Sequence, residues 1–166
     1  MIINLKELAF KGTTRQFHES IDITHLIQGH PEILKTGSLG VSLEASSAPN
    51  AVNVKGELST ELLLVCTKCL SHFDEPLLIP FQEIFTNLPV SSGDEVNVHH
   101  ITEDKVDLMP YVEENVILAL PFITLCSESC LGLCPHCGNN LNEQPCDCKL
   151  HVMDPRLEGL KKYFHE

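Results

Sequence analysis

Positive charge is what this chain has least of. Its 166 residues carry 11 Lys and Arg against 23 Asp and Glu, a formal charge of −12. Affinity for phosphate backbones comes mostly from clustered cations, so this balance gives no general attraction for nucleic acid. A protein partner is expected instead, and a basic one if charge decides. No apolar run approaches the roughly 18 residues that a membrane span needs, so no membrane association is expected. The opening MIINLKELAFKG has no basic stretch leading into an apolar one, and does not read as a secretory signal. The expected location is therefore cytoplasmic, where thiols stay reduced. Glycine-rich phosphate loops, nucleophile elbows and EF-hand spacings are missing too.

Apolar residues make up 43% of the chain, which is long enough to bury a core without covalent staples. Two extended pieces, IINLKEL and QFHESIDI, are followed by a short helix around THLIQGHPEIL, interrupted by Gly29 and Pro31. Alternation from Leu39 to Glu44 predicts a strand, and Ala48-Pro49-Asn50 a turn. In AVNVKGELSTELLLVC, Val52, Val54, Leu58, Leu62, Leu64 and Cys66 share one face by period two. A turn at TKCLS leads to a strand with Phe73, Leu77, Ile79, Phe81 and Phe85 on one face. The result is an antiparallel hairpin with Cys66-Thr67-Lys68-Cys69 at its tip. SSGDEVNVHH predicts a loop, then a short strand with His99 and His100 as an exposed pair.

A helix follows, with Asp107 as N-cap, Pro110 in the first turn, Glu113 and Glu114 near the positive end of the dipole, and Pro121 beyond its end. Its apolar face reads Leu108, Tyr111, Val112, Asn115, Ala119 and Leu120. Asp154-Pro155 starts a last short helix with Leu157, Leu160 and Phe164 on one stripe. The expected class is α+β. Residues 1–120 form a mainly antiparallel β-sheet with one good helix; residues 121–166 form a C-terminal cysteine-rich zinc-knuckle module with a short helix, packed on the first part.

Eight cysteines in a reducing compartment point to metal before disulfides. In Cys134-Pro135-His136-Cys137-Gly138, two intervening residues let both sulfurs reach one ion. The glycine tolerates the positive φ that turns backbone amides toward them. Cys146 and Cys148 follow across the polar loop GNNLNEQP and complete a closed four-thiolate site. Cys66, Cys69, Cys126 and Cys130 are expected to form a second, tying the hairpin to the chain after the helix; the bland alternative makes Cys66 a small buried residue. Two zinc ions are the expected cofactors, each tetrathiolate site adding about −2 to the charge. An iron–sulfur or redox protein is the weaker alternative.

Enzyme readings fail on these residues. Cys69 leads into a turn and a strand, not the helix a thioredoxin-like motif needs. His30-Pro31-Glu32 matches half of a zinc deaminase signature, but Leu133 stands before Cys134, and Cys146-Asp147-Cys148 is one residue short. All eight thiolates are used without an open coordination position, so no catalytic residues are expected.

The ordered set VCTKCLSHFDEPLLIPFQEIF, DLMPYVEENVILALP, LCSESCLGLCPHCGNNLN with CDC, and DPRLEGL resembles the YceD family, a bacterial and plastid family, over roughly residues 57–164. The resemblance implies a role in 23S ribosomal RNA accumulation and large ribosomal subunit biogenesis, and no known catalytic activity. It matches Cys66 with Cys69 to the family's first cysteine pair, Cys126 with Cys130 to its second, and Cys134, Cys137, Cys146 and Cys148 to its C-terminal group, which some relatives lack. Lys68 stands where arginine is common, and Leu131 where a basic residue is common, so no RNA-binding residue is carried over. The expected function is a non-enzymatic zinc-binding factor acting through a protein of the assembly pathway. The alternative is direct RNA binding through the knuckles and Lys149, Arg156, Lys161 and Lys162, but Asp147, Asp154, Glu158 and Glu166 offset those cations.

Overall fold

A computed structural model describes residues 1–11, 13–89 and 97–148. The helix expected from Asp154, the cations beyond Cys148 and most of the loop before Val98 lie outside them. Eight strands are described: β1 (Ile2–Asn4), β2 (Arg15–Ile21), β3 (Ile33–Thr36), β4 (Leu39–Ala48), β5 (Ala51–Val65), β6 (His72–Thr86), β7 (Val98–His100) and β8 (Lys105–Asp107). Two α-helices accompany them, α1 (Leu5–Lys11) and α2 (Met109–Ala119). The large sheet runs β2-β4-β5-β6-β7, while β1 and β8 form a separate antiparallel pair. The class is α+β, mostly antiparallel sheet, as the sequence led us to expect.

The frame is the β5–β6 hairpin, paired without interruption from Ala51↔Thr86 to Val65↔His72. Period two explains it. Val52, Val54, Leu58, Leu62 and Leu64 of β5 are buried, as are Ile79, Phe81 and Phe85 of β6. Strands β4 and β3 lie end to end along the other edge of β5. At the β4–β5 turn, Pro49 precedes Asn50, whose φ of 58° suits the third position of a type II turn. Gly56 faces Leu43 across the ladder, and a Cβ there would lie 2.0 Å from the Ser42 carbonyl oxygen. Only a residue without Cβ lets β4 and β5 come this close.

Three local readings are corrected. The extended IINLKEL is a three-residue strand followed by helix α1, because the Asn4 side chain accepts the Glu7 amide at 3.1 Å and caps the helix. The helix around THLIQGHPEIL shrinks to a single 3-10 turn (Thr24–Ile27) before β3, as Gly29 and Pro31 break it. His99 and His100 are not an exposed pair. His99 donates or accepts at 2.7 Å with Glu83, and its ring stacks on Phe85 and meets Tyr111. Glu83, 5% exposed on an otherwise apolar face, also accepts the Asn115 amide at 2.8 Å. Strand β7 reaches this position by pairing parallel to β6.

In α2, Leu108, Val112, Val116 and Leu120 are buried. Asp107 accepts the Met109 amide at 3.1 Å, while Leu108 occupies the cap position itself. No acidic residue falls in the first turn, so Glu113 and Glu114 sit too far along to oppose the dipole strongly. Ile117 and Leu118 face outward, and the chain continues through exposed Phe122 and Ile123 toward the hairpin tip. Among the described residues, no helix is long and apolar enough to cross a membrane.

Candidate metal centres

Beyond Val65 the β5–β6 ladder stops, and the hairpin closes through Cys66-Thr67-Lys68-Cys69. The Leu70 amide donates to the Cys66 carbonyl at 2.9 Å, and Leu70 takes φ 59°. The same turn recurs at Cys134-Pro135-His136-Cys137, where the Gly138 amide donates to the Cys134 carbonyl at 2.9 Å and Gly138 takes φ 75°. Each pair is thus a knuckle in which the residue after the second cysteine adopts a left-handed conformation. Glycine marks one knuckle in the sequence. Leucine hides the other.

Thr124 brings the chain after α2 to this tip. Buried at 1% exposure, it donates its hydroxyl to the Val65 carbonyl and accepts the Thr67 amide at 2.9 Å. Sequence reading passed over it because a lone threonine carries no spacing signal. From there Cys126 and Cys130 meet the tip. Cys69 and Cys126 sulfurs are 3.6 Å apart, and Cys66 and Cys130 sulfurs 3.8 Å. The four sulfurs of Cys66, Cys69, Cys126 and Cys130 all lie within 4.8 Å of one another. So do those of Cys134, Cys137, Cys146 and Cys148. The two fours that sequence spacing paired are the two that the fold assembles.

Those distances test the chemistry. A disulfide would bring two sulfurs to about 2.05 Å, and all eight cysteines are free. Tetrahedral ligation at about 2.3 Å per Zn–S bond places sulfurs about 3.8 Å apart along each edge. Multi-iron clusters spread their cysteines around several irons, so a compact foursome suits a single ion better. Each group can therefore hold one metal ion in a closed shell of four sulfurs.

Electrostatics favour thiolate in each knuckle. Burial opposes ionisation of Cys66, but amide donors from Cys126, Cys69 and Lys68 outweigh it and bring the thiol to about 6. Amides of Cys137 and His136 likewise bring Cys134 to about 6 against its partial desolvation. The later ligands behave oppositely in the metal-free fold. Cys69 beside Cys126 pushes that thiol up to about 12, and Cys137 does the same to Cys148. Cys126 and Cys148 each keep their proton in a hydrogen bond to that neighbouring sulfur until a cation arrives. The centres differ in exposure: Cys66, Cys69 and Cys130 are buried, but in the second foursome only Cys134 is.

The chain has counterparts among known proteins. The chain is 26% identical over 152 residues to the YlbN protein of Bacillus subtilis, covering 91% of this chain and 88% of that one. It is 31% identical over 126 residues to the Rv2926c protein of Mycobacterium tuberculosis, spanning 74% of this chain and 60% of the relative. A chloroplastic protein of Arabidopsis thaliana named large ribosomal RNA subunit accumulation protein YCED homolog 1 is 23% identical over 137 residues, which span 43% of its length. No solved structure matches at a significant level. The family model described as large ribosomal RNA subunit accumulation protein YceD matches residues 54–163, from near the start of β5 through both cysteine groups, and this chain belongs to that family.

Proposed function

We propose that this chain is a non-enzymatic, zinc-binding factor that supports 23S ribosomal RNA accumulation and large ribosomal subunit assembly, acting in the cytoplasm through contact with an assembly-pathway protein. Cys66, Cys69, Cys126 and Cys130 hold one zinc ion; Cys134, Cys137, Cys146 and Cys148 hold the other. The observation that carries the reading is the pair of closed four-sulfur groups within a family linked by name to ribosomal RNA accumulation. Zinc suits such a shell because it has no redox chemistry and no directional demand beyond four ligands. With every sulfur committed, no coordination position is left for a substrate.

In this reading residues 121–166 act as a metal-built module on the sheet of residues 1–120. The protein contact is supported by the exposed run Ile117, Leu118, Phe122 and Ile123, which leads from α2 to the first centre. Glu113 and Glu114 lie one helical turn before Ile117 and Leu118, so the surface offers apolar anchors beside negative charge. The partner is accordingly a basic protein with apolar side chains to bury.

Two measurements test this. Elemental analysis of chelator-free protein should find two zinc ions per chain. Depletion of the protein should lower 23S ribosomal RNA, with rescue by the wild type and not by a Cys69→Ser, Cys137→Ser double variant. Normal ribosomal RNA on depletion defeats the function. Salt-dependent binding of the purified protein to ribosomal RNA fragments defeats the protein-contact route.

A further inference from the structure

The loop between Cys137 and Cys146 does more than connect two ligand pairs. It folds back over the other foursome. Asn142 points its amide nitrogen at the Cys130 sulfur at 3.4 Å, and its side-chain oxygen accepts the Leu131 amide at 2.8 Å. Asn140 holds Asn142 in this pose: its side-chain oxygen accepts the Asn142 backbone amide at 3.1 Å and the Asn142 side-chain amide at 2.8 Å. The Asn140 amide reaches Glu143 at 2.8 Å and the Ser71 hydroxyl at 3.5 Å, next to the hairpin tip. The Leu141 amide donates to the Gly132 carbonyl at 2.9 Å, and the Leu133 amide to the Lys68 carbonyl at 3.0 Å. One loop, closed at both ends by ligands of the second foursome, therefore touches a ligand of the first.

We propose that Asn142 is a positioning residue that couples the two metal centres: metal in the Cys134, Cys137, Cys146 and Cys148 group shapes the loop that presents an N–H donor to Cys130, so each ion tightens the binding of the other. An amide donor to a metal-bound thiolate spreads its negative charge and fixes its orientation. Such outer partners alter metal affinity by about 10- to 100-fold. Asn142 belongs to neither foursome and is exposed, so it reaches the first ion through the Cys130 sulfur and the neighbouring Leu131 amide, the second of which Asn142→Asp keeps. Reciprocity follows from linkage: whatever factor the second ion adds to the first, the first adds to the second. The inference rests on the metal reading above.

The test uses the full chain loaded with cadmium and followed by cadmium NMR, which separates the two centres, together with chelator competition for zinc. Asn142→Asp keeps an acceptor for the Leu131 amide but removes the donor. It should shift the resonance of the Cys66, Cys69, Cys126 and Cys130 centre, leave the other in place, and weaken zinc at the first centre by about 10-fold. The Cys146→Ser, Cys148→Ser pair should weaken the first centre similarly, and Asn142→Asp added to that pair should cause no further loss. Should the paired variant fail to fold, the single variant still decides through its NMR shift. Two ions bound independently, with an unmoved resonance in Asn142→Asp or with additive losses, overturn the coupling alone. No metal bound to the wild type overturns the metal reading instead.

Discussion

Stripping both metals should dissolve one end of this molecule and spare the other. The buried apolar cluster runs from Ile3 to Leu120, and none of its members lies beyond. From Pro121 to Cys148 no aliphatic side chain is buried; Leu125, Leu133 and Leu141 are half-buried. Three half-buried leucines contribute about 3 kcal/mol. Ordering these 28 residues costs on the order of 30 kcal/mol in backbone entropy alone. Two structural zinc ions at about 10–16 kcal/mol each are of the size needed to offset that. Hydrogen exchange before and after chelation reads the outcome amide by amide. The amides of Leu133, Cys134, Gly138 and Leu141, all hydrogen-bonded in the fold, should lose protection on chelation. Those of the β5–β6 ladder between Ala51 and Gly56, far from the tip, should keep it. Protection that survives in residues 121–148 without metal would refute this reasoning, as would melting of the whole sheet at the same chelator concentration.

Other perturbations separate the forces elsewhere. Gly56→Ala should cost about 3 kcal/mol or more in denaturant unfolding, because its Cβ would meet β4 backbone on a strand that cannot step aside; a loss under about 1 kcal/mol would show that the two strands separate easily. Glu83→Ala should cost about 1–3 kcal/mol in the same assay by removing the partner of the His99 ring and one of the two acceptors of the Asn115 amide, which keeps the Tyr111 carbonyl; a neutral result would mean water replaces the carboxylate. Gly138→Ala should cost about 1 kcal/mol through φ alone, since its Cβ would meet nothing within 4 Å. Gly132→Ala should cost more, because its φ of 76° is compounded by a 3.0 Å approach to the Lys68 carbonyl; chelator-competition midpoints should rank the pair, and equal values would refute the ranking. Phe122→Asp with Ile123→Asp should leave the unfolding midpoint within about 0.5 kcal/mol of wild type but abolish partner capture; unchanged capture would remove the proposed contact surface.

Period-two alternation made β5 and β6 legible, because one face of β5 is buried along nearly its whole length and the matching face of β6 from Ile79 to Phe85. Cysteine spacing made the candidate centres legible for a different reason: the two residues between Cys66 and Cys69, and between Cys134 and Cys137, let both sulfurs of a pair reach one ion, and sequence records that directly. What escaped was decided between distant residues. Glu83 reads as polar noise in an apolar run until β7 brings His99, and α2 brings Asn115, to its side. The parallel pairing of β7 has no local signal at all. Asn4 with Glu7 did carry one, an N-cap followed three residues later by an acid, but the apolar Met1, Ile2 and Ile3 before it outweighed it. Helix α2 was legible by its apolar face, yet Val116 belongs to that face and was passed over.

The two knuckles show why the metal centres sit where they do. At Leu70 the chain accepts a left-handed φ that a leucine adopts at a cost of about 1–2 kcal/mol, with its side chain 60% exposed and burying little in return. Burial of the Leu70 side chain therefore does not hold that turn, although Cys66 and Cys69 are buried beside Phe73, Leu125 and Leu133. Within the hairpin it is held by the Leu70 amide bond to Cys66 and the Cys66 amide bond to Ser71; from outside, Thr124 accepts the Thr67 amide, Leu133 donates to the Lys68 carbonyl, and the sulfurs of Cys66 and Cys69 converge on the foursome with Cys126 and Cys130. An ion held by those four sulfurs would add a further restraint from outside the hairpin, because it would also grip the chain after α2. With such an ion bound, the hairpin tip and the segment after α2 would each be ordered by sharing a ligand shell with the other, on top of the Thr124 and Leu133 hydrogen bonds that already join them.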